Sequence, residues 1–187
     1  MRYGAEHKEQ SKAKILEAAR GLFRKRGFDR SSIDQVMEAA GLTRGAFYAH
    51  FSSKDDLVAQ VLAIEAGLVR RLQQAAETDD NRAAAYAALA DYLDPTQRES
   101  VATGCPLVAH PVDAIRGDAI RKEGYTDRLR NLVAAMEETV PGDDAVLISV
   151  LAVGAGLLSS ASADPALADR IQDVCLREIK GVMAEAG

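Results

Sequence analysis

Residues 41–51 read GLTRGAFYAHF, and five of them, Thr43, Arg44, Gly45, Tyr48 and His50, are types that suit a polyanion. An arginine can pair bidentately with a guanine edge or hold a phosphate. Tyrosine and histidine can donate to phosphates, and a glycine clears the surface where a sugar–phosphate strand would press on the backbone. Lys54 sits near the start of a segment that Ser53 can cap, a positive helix end that suits another phosphate. Arg30 and Ser32, just upstream, are further phosphate candidates. The apolar members of the stretch, Leu42, Ala46, Phe47 and Phe51, suit the buried side of a small core. Covalent catalysis finds less support. Cys105 and His110 lie five residues apart in TGCPLVAHP, without a third member, an oxyanion loop or a phosphate-binding glycine loop. The expectation is therefore a binding protein and not an enzyme, with no catalytic residue, no metal and no cofactor.

The elements that position these residues read as helices, because apolar residues recur at helical spacing and nowhere alternate over a sustained run. Ile15, Leu16, Ala19, Leu22 and Phe23 form one stripe, stopped by Arg24-Lys25-Arg26 and Gly27. Ser31, with Asp34 three places on, reads as a capping box for a short helix carrying Ile33, Val36, Met37 and Ala40, closed by Gly41. Thr43 can cap a third short helix. Ser53 and Asp56 can cap a fourth, long one that carries Leu57, Val61, Ile64, Leu68 and Leu72 and ends at Thr78-Asp79-Asp80-Asn81. A turn of a few residues between the second and third helices is the helix-turn-helix signature. The second helix of such a pair lies in the DNA major groove. Five more helical segments are expected over 81–93, 104–115, 118–138, 143–162 and 165–185. Pro111 should end or kink a helix, and Asp164-Pro165 should open one.

Bulk properties agree. The 187 residues are 48% hydrophobic with a net charge of −5, which fits a folded chain and not disorder. The charge is uneven: residues 1–58 carry +3 and the rest −8, a basic head on an acidic body. Cys105 and Cys175 are far apart and lack CxxC neighbours, which suits reduced thiols in the cytoplasm. The N-terminal MRYGAEHKEQSK has no apolar signal region, and the apolar stretch 145–158, 14 residues long, is shorter than the roughly 20 a membrane span needs. A soluble protein is expected.

The run from Ile15 to Leu62, with AARGLFRKRGF at 18–28 and SSIDQVMEAAGLTRGAFYAHFSSKDDL at 31–57, resembles the TetR family of bacterial one-component transcriptional regulators. Ala49 departs from it, standing where many members carry a larger polar residue. The resemblance implies an all-α fold of about nine helices, with a helix-turn-helix domain over 1–56 and a ligand-binding and dimerisation domain over 57–187. It also implies operator DNA as partner, a small-molecule effector held among the middle helices, and a homodimer through the last two. The candidate pocket residues are Tyr86, Tyr92, Cys105, His110, Tyr125 and Met136. Residues 145–163 carry no charge, and VGAG at 153–156 would let another backbone approach. Leu151, Gly154, Leu158, Ile171, Val174 and Ile179 are thus the candidate interface, although these helices could instead complete the protomer's own core. A repressor is expected. A thiol or electrophile sensor acting through Cys105, at a helix start suggested by Thr103 and Gly104, and an activator are the alternatives.

Overall fold

The computed structural model describes residues 2–63 and 67–185, with the side chains of residues 2–6 and of Thr103 outside the description. Among the described residues the elements run α1 (Arg2–Arg26), α2 (Ile33–Ala39), α3 (Arg44–Phe47), α4 (Lys54–Leu62), α5 (Gly67–Ala76), α6 (Asn81–Tyr92), a 3-10 turn (Pro95–Gln97), α7 (Arg98–Gly104), α8 (Pro106–Ala109), α9 (Pro111–Arg116), α10 (Ala119–Glu137), α11 (Asp143–Ala161) and α12 (Pro165–Glu185). The all-α expectation of about nine helices is met, and the surplus consists of short pieces such as α3 and α8. The chain divides into two compact units, Met1–Ile64 with Val112–Gly124, and Glu65–Pro111 with Tyr125–Gly187.

The first unit closes on four phenylalanines, Phe23, Phe28, Phe47 and Phe51, with Ile15, Val36, Met37, Leu57 and Leu62 between them. Phe23 and Phe28 meet edge to face at 5.1 Å. Each such side chain taken from water contributes about 1.5–3 kcal/mol. The ends of α1 and α2 are set by glycines that the backbone requires: Gly27 has φ 76° and Gly41 φ 67°, a region that other residues enter at a cost. The segment 112–124 belongs to this unit for visible reasons. Arg121 donates to Asp29 at 2.7 Å, and a Cβ on Gly124 would come within 2.9 Å of Leu62.

Several local expectations change. The capping box is built by Ser32 and Gln35, not by Ser31 and Asp34: the Ser32 hydroxyl accepts from the Gln35 amide, and the Gln35 side chain accepts from the Ser32 amide. Ser31 is buried instead and donates to the Gly27 carbonyl. The long fourth helix is found as α4 and α5, with Ala63 in a cap conformation after α4; Ile64 lies outside the described residues. The stretch 94–104 is the 3-10 turn plus α7. The segment expected over 104–115 is split into α8 and α9, because Pro106 and Pro111 can each open a helix but not continue one.

The second unit is built on Leu72, Leu89, Leu93, Leu132, Met136, Ile148, Ala152 and Ile179, all nearly or fully buried. Arg98 at the start of α7 donates to Asp169 and to the buried Gln172, which fixes α7 onto α12.

Candidate nucleic-acid interface

The recognition segment is anchored from below. Phe47 and Phe51 are buried, their rings 5.3 Å apart, and Leu42 and Ala46 pack against the same core. With that side committed, Thr43, Arg44, Gly45 and Tyr48 are left exposed on one short helix. Thr43 occupies the N-cap position of α3 without making a side-chain cap bond. Arg44 is held by Asp34 of α2 at 2.8 Å, with both side chains largely in water. Such a pair is worth about 0–1 kcal/mol, so it orients the guanidinium without locking it away from a guanine or phosphate.

A Cβ placed on Gly45 would meet nothing within 4 Å. Among the described residues nothing requires glycine there, and its missing side chain leaves the backbone open to whatever lies against the helix. Tyr48 is 59% exposed and stands edge-on to Phe47 at 5.3 Å, which fixes its ring while leaving the hydroxyl outward. His50 is half-buried, its amide bonded to the Phe47 carbonyl. Burial first, then the charges of Lys8 and Lys12, push its pKa below the ordinary 6.5.

Around this helix, Lys54 opens α4 and reaches the Asp29 carbonyl at 3.5 Å, and Ser53 caps α4 by accepting from the Asp56 amide. Arg30 is exposed. The Ser32 hydroxyl is used as an acceptor in the capping box, which leaves its own proton for a phosphate oxygen. The eight candidates therefore all lie in the first unit. Sequence reasoning missed Lys8 and Lys12 of α1. The signal was their helical spacing of four, which goes unnoticed until α1 is known to reach that far toward the N-terminus.

The other candidates lie in the second unit. A cleft there is lined by Leu68, Val69, Cys105, Pro106, Leu107, Arg128, Asn131 and Leu132 and holds about 20 Å³ of free space, room for a water molecule or two. Of the expected pocket residues only Cys105 reaches this lining. Tyr92, His110 and Met136 are buried in the unit's interior. Tyr86 is half-buried with Lys180 over its ring, and Tyr125 donates to the Leu107 carbonyl at 2.9 Å. Sequence reasoning singled out neither Arg128 nor Asn131, which contribute the polar part of the lining. The Tyr92 hydroxyl is buried without a hydrogen-bond partner. Burial, then the neighbouring Cys105, raises its pKa well above 10. Gly104 closes α7 instead of opening a helix, and α8 beyond Cys105 has four residues, too few to build much of a dipole.

α11 is 19 residues long and apolar enough by length and composition to cross a membrane, and 39% of it is buried within the protein. Its outward side shows Val146, Leu147, Val150 and Leu158, and α12 adds Leu167 and Val174. Leu151 and Ile171 are partly buried against the core, and Gly154 faces open space. Two expectations fail here. Ile179 is fully buried in the unit's own core. Gly156 of VGAG makes room for the Tyr92 hydroxyl, which would stand 3.2 Å from a Cβ, and not for another backbone. Among the described residues no group of three or more His, Cys, Asp or Glu could hold a metal ion.

Residues 15–61 match the family described as bacterial regulatory proteins, tetR family. The uncharacterized HTH-type transcriptional regulator YfiR of Bacillus subtilis (strain 168) is 36% identical over 92 residues, which is 48% of this chain and 42% of YfiR. The chain thus spans less than half the length of that relative. Two solved structures share the fold: a complex of SmeT of Stenotrophomonas maltophilia with triclosan (TM-score 0.69, 18% identity, 91% of this chain and 90% of that one), and NalD, the secondary repressor of the MexAB-OprM multidrug efflux pump in Pseudomonas aeruginosa (TM-score 0.66, 20% identity, 95% and 97%).

Proposed function

We propose that this chain, whose residues 15–61 match the tetR family of bacterial regulatory proteins, is a sequence-specific DNA-binding transcription factor. It acts as a homodimeric cytoplasmic repressor, released from a palindromic operator by a small molecule, and is not an enzyme. The observation that carries this reading is α3 itself. Its buried side is anchored by Phe47, while Thr43, Arg44, Gly45 and Tyr48 face outward, with Arg44 held only by a largely solvated pair to Asp34. Arg44 reads a base edge; Tyr48, His50, Lys54, Arg30 and Ser32 hold phosphates and set the register. Two such helices in a dimer, about 34–36 Å apart, read two half-sites. Residues 1–56 then serve DNA and residues 57–187 serve the effector and the dimer.

SmeT, which shares the fold, has been captured with triclosan, and NalD is a repressor; these support an effector and a repressing role here. The cleft at Cys105 has too little free space for a drug-sized ligand, which needs about 300–1,000 Å³, whereas an open groove along α10, lined by Thr126, Leu129, Arg130, Val133, Ala134 and Glu137, holds about 420 Å³; an effector enters the Cys105 cleft only by opening the second unit. An effector that prefers the opened form over the DNA-binding form weakens operator binding, typically about 5- to 150-fold. Selecting bound duplexes from a random library tests the proposal, with Arg44→Ala/Tyr48→Ala as the comparison protein. An enriched palindrome that the double variant fails to enrich supports it. Weak, sequence-blind binding shared by both proteins refutes it.

A further inference from the structure

We propose that Lys8 and Lys12 of α1 join His50 in a second phosphate-binding site beside the recognition helix, one that grips DNA backbone without reading bases. This rests on the DNA-binding reading and adds to it a site on a different helix.

Lys8 and Lys12 are four residues apart, so one helical turn stacks them on the same side of α1. Two like charges at that spacing cost an isolated helix a few tenths of a kcal/mol, and nothing within α1 explains why both are present. Lys12 is held in place: its ammonium lies 5.9 Å from the centre of the Phe51 ring, whose other neighbours are His50 at 6.2 Å and Phe47 at 5.3 Å. The lysine ammonium thus lies over an aromatic ring that belongs to the recognition segment. The three groups also sense one another, since both lysines disfavour the protonated imidazole of His50.

One carboxylate is held in place close enough to feel Lys12. This is Asp56, which accepts from the Ser52 amide and hydroxyl through one oxygen and from Gln60 through the other. Two lysines against this one carboxylate still leave net positive charge at the cluster, which an external anion relieves. A phosphate running past the end of α3 is the anion at hand, and Lys contacts it as a point charge with no demand on the base sequence.

The test uses the full chain and the duplex enriched by the native protein. Affinity is measured against salt for native protein, for Lys8→Gln/Lys12→Gln, and for Lys14→Gln, an equal type of charge removal on the opposite side of α1. Each lost phosphate contact should make the dependence of log K on log salt shallower by about 0.9. The double variant is expected to bind about tenfold more weakly at moderate salt, with a shallower slope and the same enriched sequence. Three results overturn the site: a double variant with native slope and affinity, an equal loss in Lys14→Gln, or a changed sequence preference. If the native protein enriches no duplex, the DNA-binding reading itself falls and this site with it; if it does and the double variant behaves as native, the site alone falls.

Discussion

On the proposed DNA-binding reading, His50 is a residue whose protonation should change when a phosphate is set against it. In the free protein, burial and then Lys8 and Lys12 depress its pKa below 6.5, so it is neutral at neutral pH. A phosphate set against the ring favours the imidazolium, so the pKa in the complex exceeds that of the free protein. Binding takes up a proton wherever the pH lies between the two values. Affinity should therefore rise as the pH falls from about 8 to about 6 and level off below the free-state pKa. Anisotropy titrations at constant salt check this. His50→Gln should flatten that part of the profile, and an unchanged profile in the variant contradicts it. Folding responds with the opposite sign. The unfolded imidazole takes its proton near 6.5 and the folded one only below that, so acidification through this window favours the unfolded chain.

At the scale of elements, the helix-turn-helix depends on small devices. Ser32→Ala removes one half of the box that caps α2 and should cost about 0.5–2 kcal/mol. Urea unfolding would show this as a lower midpoint with an unchanged slope, whereas Ser32→Asp, which can still accept from the Gln35 amide, should keep most of it. Gly41→Ala forces a Cβ into a φ of 67° and should cost about 1–2 kcal/mol in the same experiment. These devices also show what the sequence reveals. The glycine stops at Gly27 and Gly41 and the apolar pair Phe47 and Phe51 are local signals, and they placed the first three helices and the exposed residues of α3. The choice between Ser31 and Ser32 as cap was not local. It turned on which hydroxyl the core would bury, and that depends on how the turn after Gly27 packs.

For the whole molecule, the account needs a second copy. Much of apolar α11 faces outward with α12 beside it, and a homodimer is the cover that also supplies two recognition helices. Leu158→Glu should give monomers by sedimentation velocity and abolish tight operator binding while each protomer stays folded. Ile179→Ser, in the interior, should instead unfold the protomer, at a cost of about 2–5 kcal/mol. The sequence could not separate these two positions, since α11 and α12 each carry apolar residues on both their core-facing and their outward sides. The pocket was the least legible part, because a cleft is made by what several helices leave unfilled. The central claim is that α3 lies directly against DNA, and Gly45 tests it most directly. A side chain there touches nothing in the protein, so Gly45→Leu should leave the unfolding midpoint within about 0.5 kcal/mol of native. The same variant should lose about 100-fold or more in affinity for the enriched duplex. Native affinity in a folded Gly45→Leu protein would contradict the account.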